Sequence, residues 1–309
     1  MKRGKGDTSR NAFVLILLVL IGLLLIFALT NRSFWNRLTG KASTESAQVS
    51  ATVRNTAPTI ITDNLDGTTA IDLIPESTKD VVIIFKAEDK NGYNDISTSS
   101  AQTYASISRG AVTRQSSPGS CTKAPGGNPK RADISCTVSM QYYDENADWT
   151  VTVSAGDIGG LSASQNTRTI TVNLLKDIRI ATTPPSGPIT LSFPTIDPGA
   201  VNQGATNDAL VITNRGNYEG TITVQGTNLV NGPDSIPIGN FNADITDAGS
   251  CILPGEGGTA TALSTSVVIA NSILPRTPPG NAEDLFFCAE SIPDPIISGD
   301  YTGTWTIVI

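Results

Sequence analysis

The chain has 309 residues, with 21 Lys and Arg against 28 Asp and Glu for a net charge of −7, and it contains no histidine. The missing histidine excludes Ser-His-Asp and Cys-His catalysis and any His-ligated metal. The acidic balance argues against nucleic acid as a partner, because an acidic surface repels phosphates.

The first element is the most apolar. Ala12 to Leu29 is an unbroken apolar run, preceded by Lys2, Arg3, Lys5 and Arg10 and followed by Arg32, Arg37 and Lys41. Its length suits a bilayer core, so the sequence predicts a transmembrane helix over 12–30, with 1–11 as a cytoplasmic N-terminus by the positive-inside rule. A cleaved signal peptide would need small residues before the cut; Ala28 supplies one, but Ile26 stands where the other belongs. A prepilin-like leader cut after Gly6 is a second alternative, although Asn11 occupies the place where type IV pilins carry Glu. Residues 31–52 are polar and aperiodic and read as a juxtamembrane stalk.

From there on the pattern is β. In DVVIIFKAED, Val81, Ile83, Phe85 and Ala87 share one face, and Val82 and Ile84 on the other predict a strand buried on both sides at its centre. Cys136, Val138, Met140 and Tyr142 alternate with polar residues, as do Trp149, Val151, Val153 and Ala155, and then Ile170, Val172 and Leu174. The turn clusters DKNGYND and APGGNP fall between strands at sandwich-like spacing. These elements define a first β-sandwich over 53–175. A Pro-rich linker over 176–188 follows, with Pro184, Pro185 and Pro188, and then an acidic β-sandwich over 189–309. Its predicted strands are ITLSF, ALVITN, GTITVQG, TSVVIA, DLFFCAE and the terminal TWTIVI, in which Trp305, Ile307 and Ile309 share a face. Charge supports the division: residues 51–179 hold twelve bases and fourteen acids, whereas from 180 onward Arg215 and Arg276 face twelve acids.

The four cysteines fall two per half. Three pairings exist; the local ones, Cys121 with Cys136 and Cys251 with Cys288, leave each domain independently foldable and are expected in an oxidising compartment. Buried free thiols are the alternative, and neither Cys-x2-Cys spacing nor histidine supports zinc.

For an ion, the candidates are the oxygen-bearing turn residues Asp89, Asn91, Asn94 and Asp95, joined by Asp157. Calcium takes six to eight oxygens, which acidic turns at a sandwich end supply. The spacing is not that of an EF-hand, since the fifth position counted from Asp89 is Tyr93. Asp and Asn also populate turns for conformational reasons alone, so a structural turn is the competing reading.

VVIIFKAEDKNGYNDI and WTVTVSAGDIGGLSA resemble Ig-like repeats of cadherin and PKD type in prokaryotic surface proteins. FPTIDPGAVNQGATNDALVITNRGN and YTGTWTIVI are similar in style to β-sandwich domains of archaeal and bacterial envelope proteins, and the whole arrangement resembles membrane-tethered surface proteins of small-genome archaea. The resemblance implies an all-β fold of two Ig-like antiparallel β-sandwich domains behind one N-terminal transmembrane helix, with the ectodomain outside the cell. The expected role is non-enzymatic, structural or adhesive, with the membrane and envelope proteins or glycans as partners and no cofactor other than calcium. Oligomeric state is not encoded in any motif.

A pilin-like filament subunit is the runner-up. An exported hydrolase or peptidase is the third reading, resting on a Ser-Lys dyad for which Ser139 offers only a strand serine. LPRTP (274–278) has Pro278 where a sortase signal needs Gly and reads as a loop. The sequon Asn31-Arg32-Ser33 abuts the predicted membrane, and Tyr142 with Tyr143 reads as strand-end packing with a sugar platform as the alternative.

Overall fold

The computed structural model describes residues 8–30, 48–61, 69–99, 101–182, 189–207, 209–247, 251 and 258–309. The Gly6 leader site, the Asn31 sequon, most of the 31–52 stalk and residues 183–188 of the linker lie outside them. The chain divides into two compact units, Met1–Arg54 and Asn55–Ile309.

The first unit carries helix α1, Thr8–Thr30. Leu, Ile, Val and Ala favour or tolerate helix, and Thr30 Oγ1 donates to the Ile26 carbonyl at 2.7 Å at its C-terminal end. Its 23 residues rise about 34 Å at about 1.5 Å each. The large apolar side chains from Phe13 to Phe27 are all exposed, so no side of the helix is polar. Among the described residues no helix is long and apolar enough to cross a membrane.

The second unit is all β. Its first half contains β1 (Thr59–Ile61), β2 (Ala70–Ile71), β3 (Thr78–Glu88), β4 (Ile96–Ser97), β5 (Tyr104–Arg109), β6 (Val112–Gln115), β7 (Thr122–Pro125), β8 (Arg131–Gln141), β9 (Asp148–Asp157) and β10 (Ser162–Val172). One sheet has the order β1-β3-β8-β7; the other has β2-β10-β9-β5-β6, with β4 also on β9. All pairings are antiparallel except that of β2 with β10. The two sheets share one core, in which Phe85, Ile83, Ile134, Met140, Trp149, Val151 and Ile107 are fully or almost fully buried. Each such side chain contributes about 1.5–3 kcal/mol on leaving water.

Val82 and Ile84 correct the expectation of a doubly buried strand, since they are 47% and 38% exposed. The β1-β3-β8-β7 sheet has one covered face, and a β-branched residue on the open face keeps strand propensity without needing burial. Leu174 is also exposed, because β10 ends at Val172.

The second half contains β11 (Ile178–Thr182), β12 (Val201–Gly204), β13 (Leu210–Asn214), β14 (Gly220–Gly226), β15 (Leu229–Asn231), β16 (Asp234–Ile236), β17 (Phe241–Asp244), β18 (Thr261–Ala262), β19 (Val267–Leu274), β20 (Ala282–Ser291) and β21 (Trp305–Val308). A sheet of order β11-β13-β20-β17-β18, with β12 on β20, faces a three-stranded sheet of order β19-β14-β21 across a second core; β15 and β16 form a hairpin.

Two expectations are corrected in this half. The linker predicted over 176–188 gives up Ile178–Thr182 to β11, which pairs with β13 because Ile178 and Ile180 alternate toward the core. ITLSF belongs to no ladder among the described residues. Side chain and backbone of 206–207 satisfy it instead: the Ser192 N–H donates to Asn207 Oδ1 at 2.8 Å, and the Thr206 N–H donates to the Ser192 carbonyl at 2.7 Å.

The halves are fastened by polar contacts. Asn217, fully buried, accepts from the Leu175 N–H at 2.7 Å and donates to the Asn173 carbonyl at 2.9 Å. Arg215 Nε lies 3.1 Å from Asp177 and 3.4 Å from Glu76, which also takes Arg179 at 3.1 Å. Arg276 lies 3.7 Å from Glu145, whose other oxygen takes Arg109 at 3.1 Å. The hydrogen bond from Arg109 is the main reason the Glu145 carboxyl sits below the usual range. Both bases beyond residue 180 therefore meet acids of the preceding stretch.

Candidate metal centre

At one end of the first sandwich three carboxylates converge. Asp89 follows the last residue of β3, Asp95 precedes β4, and Asp157 ends β9. The register Ile96↔Asp157 sets β4 beside β9, and the Ile158 N–H donates to the Asp95 carbonyl at 2.8 Å, so the two aspartates meet at a strand end. Asp89 is brought in by its own turn: Asn91 N–H donates to Asp89 Oδ1 at 2.7 Å, and Gly92 N–H to the Asp89 carbonyl at 3.1 Å. Gly92 has φ +112°, a conformation open to glycine and costly for other residues.

One carboxylate oxygen from each aspartate lies within 4.8 Å of the other two. That spacing groups the three oxygens closely enough to hold one metal ion between them. Asp89 is 0% exposed and Asp157 2%, yet Asp89 Oδ2 and Asp95 Oδ2 are buried without a hydrogen-bond partner among the described residues. A buried carboxylate oxygen left unpaired is costly, and a hard cation supplies the missing partner. Asp157 uses its oxygens otherwise: Oδ1 accepts from the Leu161 N–H at 2.8 Å and Oδ2 from Asn55 Nδ2 at 3.0 Å. Burial raises the Asp89 carboxyl above its usual range, the Asn91 N–H opposes this, and the charges of Asp95 and Asp157 add to it. An all-oxygen donor set without sulfur or nitrogen fits calcium or magnesium, and its carboxylate richness with an irregular turn fits calcium better than the rigid octahedron of magnesium.

Of the five residues expected from the sequence, the structure brings together Asp89, Asp95 and Asp157. Asn91 and Asn94 are exposed instead. The Asn91 side-chain oxygen accepts from the Thr56 N–H at 3.0 Å and Thr56 Oγ1 at 2.8 Å, which ties the lead-in segment to the turn.

Two residues absent from that expectation matter. Asn55 reaches Asp157 because Gly159 has no side chain; a Cβ there would come within 2.1 Å of Asn55 Nδ2. Lys123 donates to the carbonyls of Tyr93, at 3.0 Å, and Ile96, which bracket Asp95, and its ammonium lies 4.4 Å from the Tyr93 ring centre. Burial lowers the Lys123 pKa, and the Asp95 charge works against that shift. The alternation of β7 alone gives no reason to single this lysine out.

Both cysteine pairs form disulfides, Cys121–Cys136 and Cys251–Cys288. Ser139 is an exposed strand serine whose Oγ donates to Asp80 at 2.5 Å, with no lysine in that contact. Tyr142 and Tyr143 meet edge to face at 5.1 Å, and Tyr142 Oη accepts from Asn281 at 3.1 Å.

No family model matches the chain, and no curated protein matches it. Among solved structures, it is similar to a chain of the one described as "Chaperone-tip adhesin complex is vital for synergistic activation of CFA/I fimbriae biogenesis". The two are 11% identical over 82% of each chain, with a TM-score of 0.30, too low to carry an argument about function.

Proposed function

We propose that the protein is a non-enzymatic, membrane-tethered surface protein in which α1 anchors two Ig-like β-sandwiches outside the cell, in a structural or adhesive role toward envelope proteins or glycans. The observation that carries this reading is α1: an apolar run, helical throughout and apolar on every side, belongs in lipid or in a core, not in water. Disulfides in both halves of the body support an oxidising side of the membrane. We further propose that Asp89, Asp95 and Asp157 hold calcium, which the unpaired buried oxygens of Asp89 and Asp95 support.

The test of the tether is extraction of the full chain from membranes at alkaline pH, with intact-mass analysis of what remains. Retention in the membrane with Met1 or its successor intact is the expected result. Release by alkali sinks the anchor, and a chain beginning at Asp7 replaces this reading with the pilin-like one. For the ion, titration of calcium into the detergent-extracted chain should saturate a site that Asp89→Asn abolishes; no uptake at millimolar calcium removes calcium from the proposal and leaves the tether standing.

A further inference from the structure

The turn that carries Asp89 and Asp95 is gripped from one side by the β7–β8 hairpin, and that hairpin is closed by a disulfide. Tyr93 N–H donates to the Pro129 carbonyl at 2.8 Å and Asp89 N–H to the Lys130 carbonyl at 2.8 Å, so the hairpin tip holds the turn at its start and at Tyr93. Lys123, on β7, adds its two donations to the Tyr93 and Ile96 carbonyls around Asp95.

β7 is itself weakly held. It is a four-residue edge strand whose residues Thr122, Ala124 and Pro125 are exposed, and it pairs only with β8 among the described strands. The register Thr122↔Ser135 places Cys121 opposite Cys136, and their bond fastens the free end of β7. Cys121 is also the buried residue of that end: its sulfur lies 3.6 Å from the Thr103 carbonyl, and Thr103 Oγ1 accepts from the Gly156 N–H at 2.9 Å, next to Asp157. The disulfide thus backs the loop of Asp95 through Lys123 and the strand end of Asp157 through Thr103.

From this we propose that the Cys121–Cys136 disulfide sets the cation affinity of the Asp89, Asp95 and Asp157 cluster, so that the site reaches full affinity only after the chain has been oxidised. The inference rests on the calcium reading of the cluster. Without the bond β7 frays, Lys123 leaves its carbonyls, and three carboxylates that repel one another lose the frame that keeps them together. Cys251–Cys288, in the other sandwich, makes no such contact among the described residues and serves as the internal control.

Linkage makes the proposal testable on the unaltered chain, because whatever reduction takes from calcium affinity, calcium must return as resistance to reduction. The full-length chain in detergent is exposed to graded dithiothreitol with millimolar calcium or with chelator, and each cysteine is scored by alkylation and mass spectrometry. Calcium should shift the reduction equilibrium of Cys121–Cys136 by about tenfold or more, the equivalent of one decade in affinity, and leave Cys251–Cys288 where it was. Calcium affinity of the Cys121→Ser, Cys136→Ser double variant should fall by the same factor, while that of Cys251→Ser, Cys288→Ser is unchanged. Equal midpoints for Cys121–Cys136 with and without calcium, in a chain that titration shows to bind the ion, overturn the proposal. Equal shifts of both disulfides overturn it too, since that reports general stability. A wild-type chain that takes up no calcium overturns the metal reading on which it stands, a result that titration alone distinguishes.

Discussion

The two sandwiches solve the same packing problem to different degrees. In the first, Trp149 and Phe85 are almost completely enclosed, and few partly exposed apolar side chains adjoin the core. In the second, the facing sheet has three strands, and Phe193, Trp305, Ile307, Tyr301 and Ile309 close the gap from positions still open to water. Charge divides them in the same way. The first keeps its bases and acids paired across strands, as in Arg114, which meets the 3% exposed Asp144 with a contact of 2.6 Å, and Lys86 with Asp133 at 3.1 Å. The second has three bases, Arg179, Arg215 and Arg276, and each faces acids that precede it in the chain. A closed core with balanced charge is suited to hold a site to fixed geometry, whereas an open core with one sign of charge is suited to stay soluble and apart from its own copies.

The sharpest way to break this contrast is to cut the cores. Phe85→Ala should cost about 3–5 kcal/mol by urea unfolding, and Trp305→Ala, already partly hydrated, about half of that; equal losses would erase the distinction. Arg114→Ala should cost about 3 kcal/mol or more, because it strands the buried Asp144 charge, and a loss below about 1 kcal/mol would show that water reaches that carboxylate.

In chelator, Asp89→Asn should stabilise the chain by about 1–2 kcal/mol by removing an unpaired buried charge, and destabilisation would overturn the cost assigned to the unpaired Asp89 oxygen. The sign with pH follows. The folded Asp89 pKa is raised, so the native state holds its proton more tightly than the unfolded chain. In chelator this group's contribution to stability is greatest below the unfolded carboxyl range, falls as pH rises through the folded value, and is lost above it. Calcium competes with that proton, so its affinity should decline as pH drops through the same window.

The smallest effect expected is at the junction. Arg215→Gln should cost about 1 kcal/mol or less, because its ion pairs are part-exposed. Its signature is a single thermal transition separating into two, and a transition that stays single would show that the remaining contacts, those of Asn217, Arg179 and Arg276, suffice to couple the halves.

Much of the first sandwich was legible in the sequence because period-two patterns report faces directly: Trp149, Val151, Val153 and Ala155 all lie inward as expected. The same patterns do not report whether a face is covered, which is why Val82 and Ile84 read as buried. ITLSF read as a strand because propensity does not show that Asn207 and Thr206, in a turn downstream, take the hydrogen bonds a neighbouring strand would have taken. At the candidate metal centre, five oxygen-bearing residues stood out from turn composition and the structure brings three of them together, Asp89 and Asp95 being close in sequence and Asp157 ending a recognisable strand. Asn55 and Lys123 were not, because their roles depend on a missing Cβ at Gly159 and on a hairpin folding back over the turn.

The pairing of Arg215 and Arg276 has a further consequence. Proteases of tryptic specificity cut only after Lys or Arg, and beyond residue 180 the chain offers them two such bonds in 12 acids' worth of hostile field. Both guanidinium groups are held by carboxylates of the neighbouring sandwich and would have to leave them to enter a specificity pocket. The acidic half is thereby poor food for the commonest class of digestive serine proteases for as long as it stays docked, and becomes cleavable where the junction opens.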